Sequence, residues 1–210
     1  MALRLAQPLI LSRIDAWNGI QLSRNGDSMI RIAAASFGRH KVRHRDLRQW
    51  SGFGSLRSTP MILNRHFREF IGLLEKHKVE YLIVGGYAVG LHGFPRYTGD
   101  LDVFVAISPA NAGGLLKAFA DFGFSDLGLQ EADFLEKDMI VEIGREPAKI
   151  QVLTGIDGVG FDACYRRRIS FEDDGLSIPF ISFDDLIANK AASPRPKDKI
   201  DVEELRRIRG

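Results

Sequence analysis

Asp100-Leu101-Asp102 opens an apolar run, Val103-Phe104-Val105, with the alternation of a β-strand. Side chains of a strand point to opposite faces in turn, so Asp100 and Asp102 share one face and Leu101, Val103 and Val105 the other. Two carboxylates on one face, about 7 Å apart by strand rise, can converge on divalent cations. Phosphoryl transfer by a cation pair uses ions about 3.5–4 Å apart, held by bridging carboxylates. Taken alone, such a pair is usually two solvated acids on a strand edge, and only its context can argue otherwise. Here the context is the run Tyr81-Leu82-Ile83-Val84, which stops at Gly85-Gly86, fourteen residues before Asp100. Most Gly-Gly pairs are tight turns. At a strand-to-helix junction, however, glycines let backbone N–H groups approach a phosphate, and the helix start adds its positive end. A phosphate cradle beside a cation site is what nucleotidyl transfer requires, since its catalysis is mostly positioning and charge neutralisation.

The elements that must position these residues follow from periodicity. Ile62, His66, Phe67, Phe70, Ile71 and Leu74 recur at three- and four-residue intervals and predict a helix with one apolar face. A buried strand over 81–84 and a short helix over 87–92 come next, then a strand over 101–106. Pro109 suits a first helical position and Gly123 a stop, which predicts a helix over 109–122. Strands are expected over 139–143 and 149–153, a short helix over 161–167 and an apolar strand over 176–181. Ser182 caps a further helix, with Asp185 three residues on, and a last helix runs over about 198–207. The fold class is α/β (α+β), a small mixed sheet flanked by helices.

Several ordered segments together resemble the minimal nucleotidyltransferases of the polymerase-beta-like superfamily, in the branch of abortive-infection and other toxin–antitoxin enzymes. They are residues 81–89; His92-Gly93-Phe94-Pro95-Arg96-Tyr97-Thr98-Gly99-Asp100-Leu101-Asp102; Gly155-Ile156-Asp157-Gly158-Val159 with Phe161; Asp185-Leu186-Ile187-Ala188-Asn189-Lys190; and Arg195-Pro196-Lys197-Asp198 with Asp201. The resemblance covers residues 61–205 and none of 1–60. It implies the nucleotidyltransferase fold, with Gly85 and Gly86 on the nucleotide phosphates and Asp100 and Asp102 on Mg²⁺ (or Mn²⁺). It implies Lys190 on the triphosphate, Asp198 as the acid of the later motif, and an NTP as substrate. Arg195 is a second phosphate contact or a loop arginine. Without the resemblance, Lys190 reads equally as an exposed helical lysine, and Asp198 as an acid favoured at a helix start. Arg96 and Thr98 are expected to shape the turn into the acidic pair.

Two residues depart from the pattern. Gln151 stands in Ile150-Gln151-Val152-Leu153 where relatives carry Asp, which keeps an oxygen but removes a charge from a hard-metal site. Pro194 replaces a usual Gly before Arg195 and stiffens that loop. The leading expectation is an enzyme that transfers a nucleoside monophosphate to a hydroxyl of RNA (tRNA included), protein or a small molecule, in a toxin–antitoxin or phage-defence setting with a cognate antitoxin. Its rival, motivated by Gln151, is a catalytically impaired nucleotide-binding relative that acts as a partner. A third reading is a nucleic-acid-binding module dominated by a basic arm.

That arm is residues 1–60, with ten Lys/Arg against three Asp, whereas 61–210 holds nineteen Lys/Arg against twenty-four Asp/Glu. Such asymmetry marks two regions with different partners or histories. Residues 1–60 are expected to be a basic extension outside the fold: a disordered arm, a presequence, or, the favoured reading, sequence upstream of a start at Met61. Residues 61–210 are expected to form the nucleotidyltransferase-like domain. The single cysteine, Cys164, excludes an internal disulfide and points to a reducing compartment, by default the cytoplasm. No run of about 18 apolar residues exists to cross a membrane.

Overall fold

The computed structural model describes residues 20–25, 28–33, 63–125, 127–144 and 148–210. Six strands and six helices lie in 63–210: α1 (Arg65–Lys76), β3 (Tyr81–Ile83), α2 (Gly85–Leu91), β4 (Asp100–Val105), α3 (Pro109–Asp121), β5 (Met139–Ile143), β6 (Lys149–Leu153), α4 (Phe161–Arg166), β7 (Ile169–Asp173), β8 (Leu176–Phe180), α5 (Phe183–Ala192) and α6 (Pro196–Arg209). Earlier in the chain, β1 (Ile20–Asn25) and β2 (Ser28–Ala33) pair antiparallel. The sheet order is β1-β2-β5-β6-β4-β3-β8-β7. It is mixed: β4 runs parallel to β6 and β3 to β8, while β3–β4, β5–β6 and β7–β8 are antiparallel.

The expected α/β class with a mixed sheet flanked by helices is the observed one. The expectation for residues 1–60 concerns mostly residues outside the described ones; of these sixty, only β1 and β2 are described, and β2 joins the sheet parallel to β5.

Leu101, Val103 and Val105 of β4 are fully buried, together with Ile150 and Val152 of β6. The alternation read from the sequence therefore assigns the apolar face correctly. Phe67, Phe70, Ile71 and Leu74 bury the apolar stripe of α1, which Asn64 caps by accepting from the His66 N–H. Phe70 meets Phe119 of α3 at 5.5 Å between ring centroids, and Phe119 stacks on Phe134 at 5.8 Å. These contacts fill one side of the sheet and leave Asp100 and Asp102 on the other. Pro109 is the first residue of α3, as the sequence predicts, and Ser108 caps the helix by accepting from the Asn111 N–H.

Candidate active site

The carboxylate pair sits where β4 begins, beside the start of α2. Gly85 holds φ at +62°, and a Cβ there would lie 1.8 Å from Asp102 Oδ2. A Cβ on Gly86 would lie 2.6 Å from Thr98 Oγ1. Only glycines let the helix start close over Asp102 and Thr98. The Gly86 N–H donates to the Asp102 carboxylate. Burial and the neighbouring Asp100 push the Asp102 pKa up to about 6, against the pull of Lys190, the Gly86 N–H and Arg195. Asp100 is divided between two roles. Its Oδ2 lies 3.3 Å from Lys149 Nζ. Its Oδ1 is buried with no hydrogen-bond partner among the described residues.

The neighbouring strands extend the polar face. Asp100 stands opposite Lys149 and Asp102 opposite Gln151 across β4–β6, while Gln151 stands opposite Glu142 across β6–β5. Cross-strand neighbours share a face, so Gln151 lies beside the acidic pair and away from the core. Its amide Nε2 donates to Glu142 Oε1. Lys149 Nζ lies 3.4 Å from that same oxygen. Burial works to lower the Lys149 pKa, but Glu142 and Asp100 outweigh it and raise it.

The third part comes from the end of α5 and the start of α6. Lys190 is 3% exposed, Asp198 0% and Asp201 1%, so their charges must satisfy one another. Lys190 Nζ lies 2.5 Å from Asp198 Oδ1 and 3.0 Å from Asp201 Oδ2. Arg96 closes on Asp201 with both ends of its fork, Nε to Oδ1 at 2.8 Å and Nη2 to Oδ2 at 2.9 Å. Arg195 Nε reaches Asp198 Oδ2 at 2.8 Å, with most of its side chain in solvent. Burial tends to raise the Asp198 pKa, yet hydrogen bonds from Lys190 and Ser193 hold it below the usual carboxylate range. Three cations face two anions here, which leaves one positive charge beside Asp102.

Gly85, Gly86, Asp100, Asp102, Lys190, Asp198 and Arg195 thus fall into one connected region. Their contacts are more specific than their types foretell. Lys190 is locked between two carboxylates, and Arg195 is the cation with a solvent-facing surface. Arg96 does shape the approach to the acidic pair, by tying that loop to α6. Sequence reading missed Lys149 and Glu142. Their signal was weak: a strand pattern gives faces but not register, and register is what puts Lys149 beside Asp100. An open groove lined by Phe104, Ile107, Thr154, Val159, Phe161 and Arg166 lies toward the opposite ends of β4 and β6.

Among the described residues no three His, Cys, Asp or Glu side chains converge as a ready metal site. Two carboxylates nevertheless fit Mg²⁺, which characteristically takes one or two from the protein and completes its shell with water and substrate phosphates. The buried, unpartnered Asp100 Oδ1 fits the same role, since a buried carboxylate oxygen without a donor wants a cation.

The profile of the family described as "Nucleotidyltransferase of unknown function (DUF6036)" matches residues 63–208. The chain belongs to this nucleotidyltransferase family. Among solved structures, the DUF6036 chain is similar to a candidate nucleotidyltransferase from Thermotoga maritima, with 16% identity and a TM-score of 0.43 over 69% of this chain and 90% of that one. No curated protein matches it. Among the described residues no helix of this family member is long and apolar enough to cross a membrane.

Proposed function

We propose that this family member transfers a nucleoside monophosphate from an NTP to a hydroxyl, with Mg²⁺ held by Asp100 and Asp102. The supporting observation is the buried, unpartnered Asp100 Oδ1 beside Asp102. Bound Mg²⁺ supplies neutralisation of the phosphate charge that builds up in transfer. The residues of the chain do the rest. Asp100 and Asp102 fix the cation relative to the start of α2. Gly85 and Gly86 keep Asp102 seated, with the Gly86 N–H on its carboxylate, and having no side chains they let the nucleotide phosphates approach the cation beside it. Arg195 offers a guanidinium to the phosphate oxygens, and Lys190 and Asp198 hold the α5–α6 corner that presents it. In the reaction the hydroxyl oxygen bonds to the α-phosphorus, the bond from that phosphorus to the β-phosphate oxygen breaks, pyrophosphate leaves, and the hydroxyl proton passes to water.

The resemblance to toxin–antitoxin enzymes makes RNA, tRNA included, the first acceptor to try, with proteins and small molecules after it. It also makes a cognate antitoxin the first protein partner to seek. Incubation with each α-labelled NTP, Mg²⁺ and mixed cellular RNA and protein reads nucleotide and acceptor together. The label should reach one acceptor class, and Asp100→Asn and Asp102→Asn should abolish it with the fold intact. Retained transfer in both variants removes the metal assignment.

A specific observation favours a second reading, the impaired relative. Gln151 is neutral where an acid would sit beside Asp102, and its amide is already bonded to Glu142. Under that reading NTP and Mg²⁺ raise the melting temperature, because a ligand of the native state stabilises it, but no label is transferred to any acceptor.

A further inference from the structure

We infer that Lys149 is a resident cation of the carboxylate face, which limits the site to a single divalent ion. The inference rests on the proposed metal reading of Asp100 and Asp102 and concerns how many ions they take. Three carboxylates share this face across adjacent strands, Asp100, Asp102 and Glu142, and Gln151 lies among them. Left to themselves, such acids repel one another, and cations between them relieve that repulsion. Here one fixed positive charge is already in place. Lys149 Nζ lies 3.3 Å from Asp100 Oδ2 and 3.4 Å from Glu142 Oε1, with the lysine side chain 23% exposed. A cation that touches one oxygen of each of two carboxylates occupies the bridging position a second ion would need.

The distribution of partners supports a division of labour within Asp100. Its Oδ2 belongs to Lys149, while its Oδ1 is buried without any donor among the described residues. That Oδ1 and Asp102 remain for one ion. On the far side, Gln151 Nε2 donates to the same Glu142 oxygen that Lys149 approaches. Glu142 is thereby turned to its lysine and amide neighbours. The neutral Gln151 then has a reason: an acid at that position would add a fourth negative charge to a face that a lysine and one ion must balance.

The test is a count of Mn²⁺ on the full-length protein by electron paramagnetic resonance. It is run with non-hydrolysable analogues of each of the four NTPs and read against protein-free blanks. The wild type should bind one ion. Lys149→Met should bind one more and become dependent on it, with a melting temperature that falls in EDTA and recovers in Mn²⁺. Lys149→Arg, which keeps the charge, should bind one ion as the wild type does. Two ions on the wild type would overturn the inference while leaving the metal reading intact, and this count does not require any variant to fold. Equal counts on the wild type and Lys149→Met would overturn it as well, as would two ions on Lys149→Arg. No ion on the wild type with any analogue would instead overturn the metal reading, and this inference with it.

Discussion

At the scale of single residues, the glycine pair is explained by what presses against it, Asp102 on Gly85 and Thr98 on Gly86. Gly85 combines a left-handed backbone with the closest approach to Asp102. Gly85→Ala carries a backbone cost of about 1–2 kcal/mol, and its methyl group must also drive the Asp102 carboxylate out of its seat. The variant should lose transfer activity and unfold more easily, whereas Gly72→Ala in α1, whose Cβ would meet nothing within 4 Å, should be neutral or stabilised by roughly 0.5–1 kcal/mol. Thermal unfolding and labelled-NTP transfer on the two variants check this; equal behaviour would detach Gly85 from Asp102. Gln151→Asp makes a different kind of change. It sets an acid opposite Glu142 and Asp102, and like charges directly opposed across strands cost up to about 1 kcal/mol, or roughly 2–4 °C for a chain of this length. That loss should appear in EDTA and vanish in Mg²⁺, with any transfer rate raised. A loss that Mg²⁺ leaves unchanged would separate position 151 from the cation.

At the scale of elements, the corner between α5 and α6 is held by charge. Asp198 is fully buried against Lys190, and removing one partner of such a pair typically costs about 3–5 kcal/mol; since Lys190 keeps Asp201, Asp198→Asn should fall at the lower end. The pH dependence follows from the direction of the shift. Lys190 and Ser193 hold the folded Asp198 pKa below its ordinary value of 3.8. The native state therefore binds this proton less readily than the unfolded one. The stability it contributes is complete above 3.8 and is lost as pH falls through the lower folded value. The gap between wild type and Asp198→Asn in urea unfolding should be constant near neutrality and close below pH 3.8; a gap unchanged at low pH would mean Asp198 is not charged in the fold. The same corner shows what sequence could reveal. Helices α1, α3 and α5 were legible because caps and apolar stripes are local signals. Strand β7 was not read, since Ile169 and Ser170 are exposed and the strand lies at the sheet edge. Its cue was available in Asp174-Gly175, both at positive φ, the two-residue hairpin turn that joins β7 to β8. The site divides in the same way. Asp100 and Asp102 were singled out from type and spacing and Lys190 and Asp198 from the resemblance, but Lys149 beside Asp100 and Arg96 on Asp201 depend on register and long-range packing, which no local pattern encodes.

At the scale of the molecule, every described helix and the carboxylate face lie within 63–210, and the family match spans 63–208. The excess of basic charge in 1–60 and the breaker-rich run 52–60 set this portion apart from what precedes it. The two parts meet in the sheet, where β2 pairs with β5. A chain beginning at Met61 should therefore keep its core, its helices and the Lys190–Asp198 corner, and unfold in a single cooperative transition. What it loses is the covering of β5, whose backbone N–H and C=O groups then form an open edge, and an uncovered edge strand is a template for association. The expected outcome is a melting temperature within a few degrees of the full chain and nucleotide-dependent stabilisation retained, with a concentration-dependent shift to larger species in gel filtration. A lysine placed in β5 at Ile140, on its more exposed face, should suppress that association without lowering cooperativity, as edge lysines do in sheets that stay monomeric. Were the shortened chain to lose its cooperative transition even with the lysine present, the boundary at Met61 would be wrong, and β1 and β2 would belong to the folding unit itself.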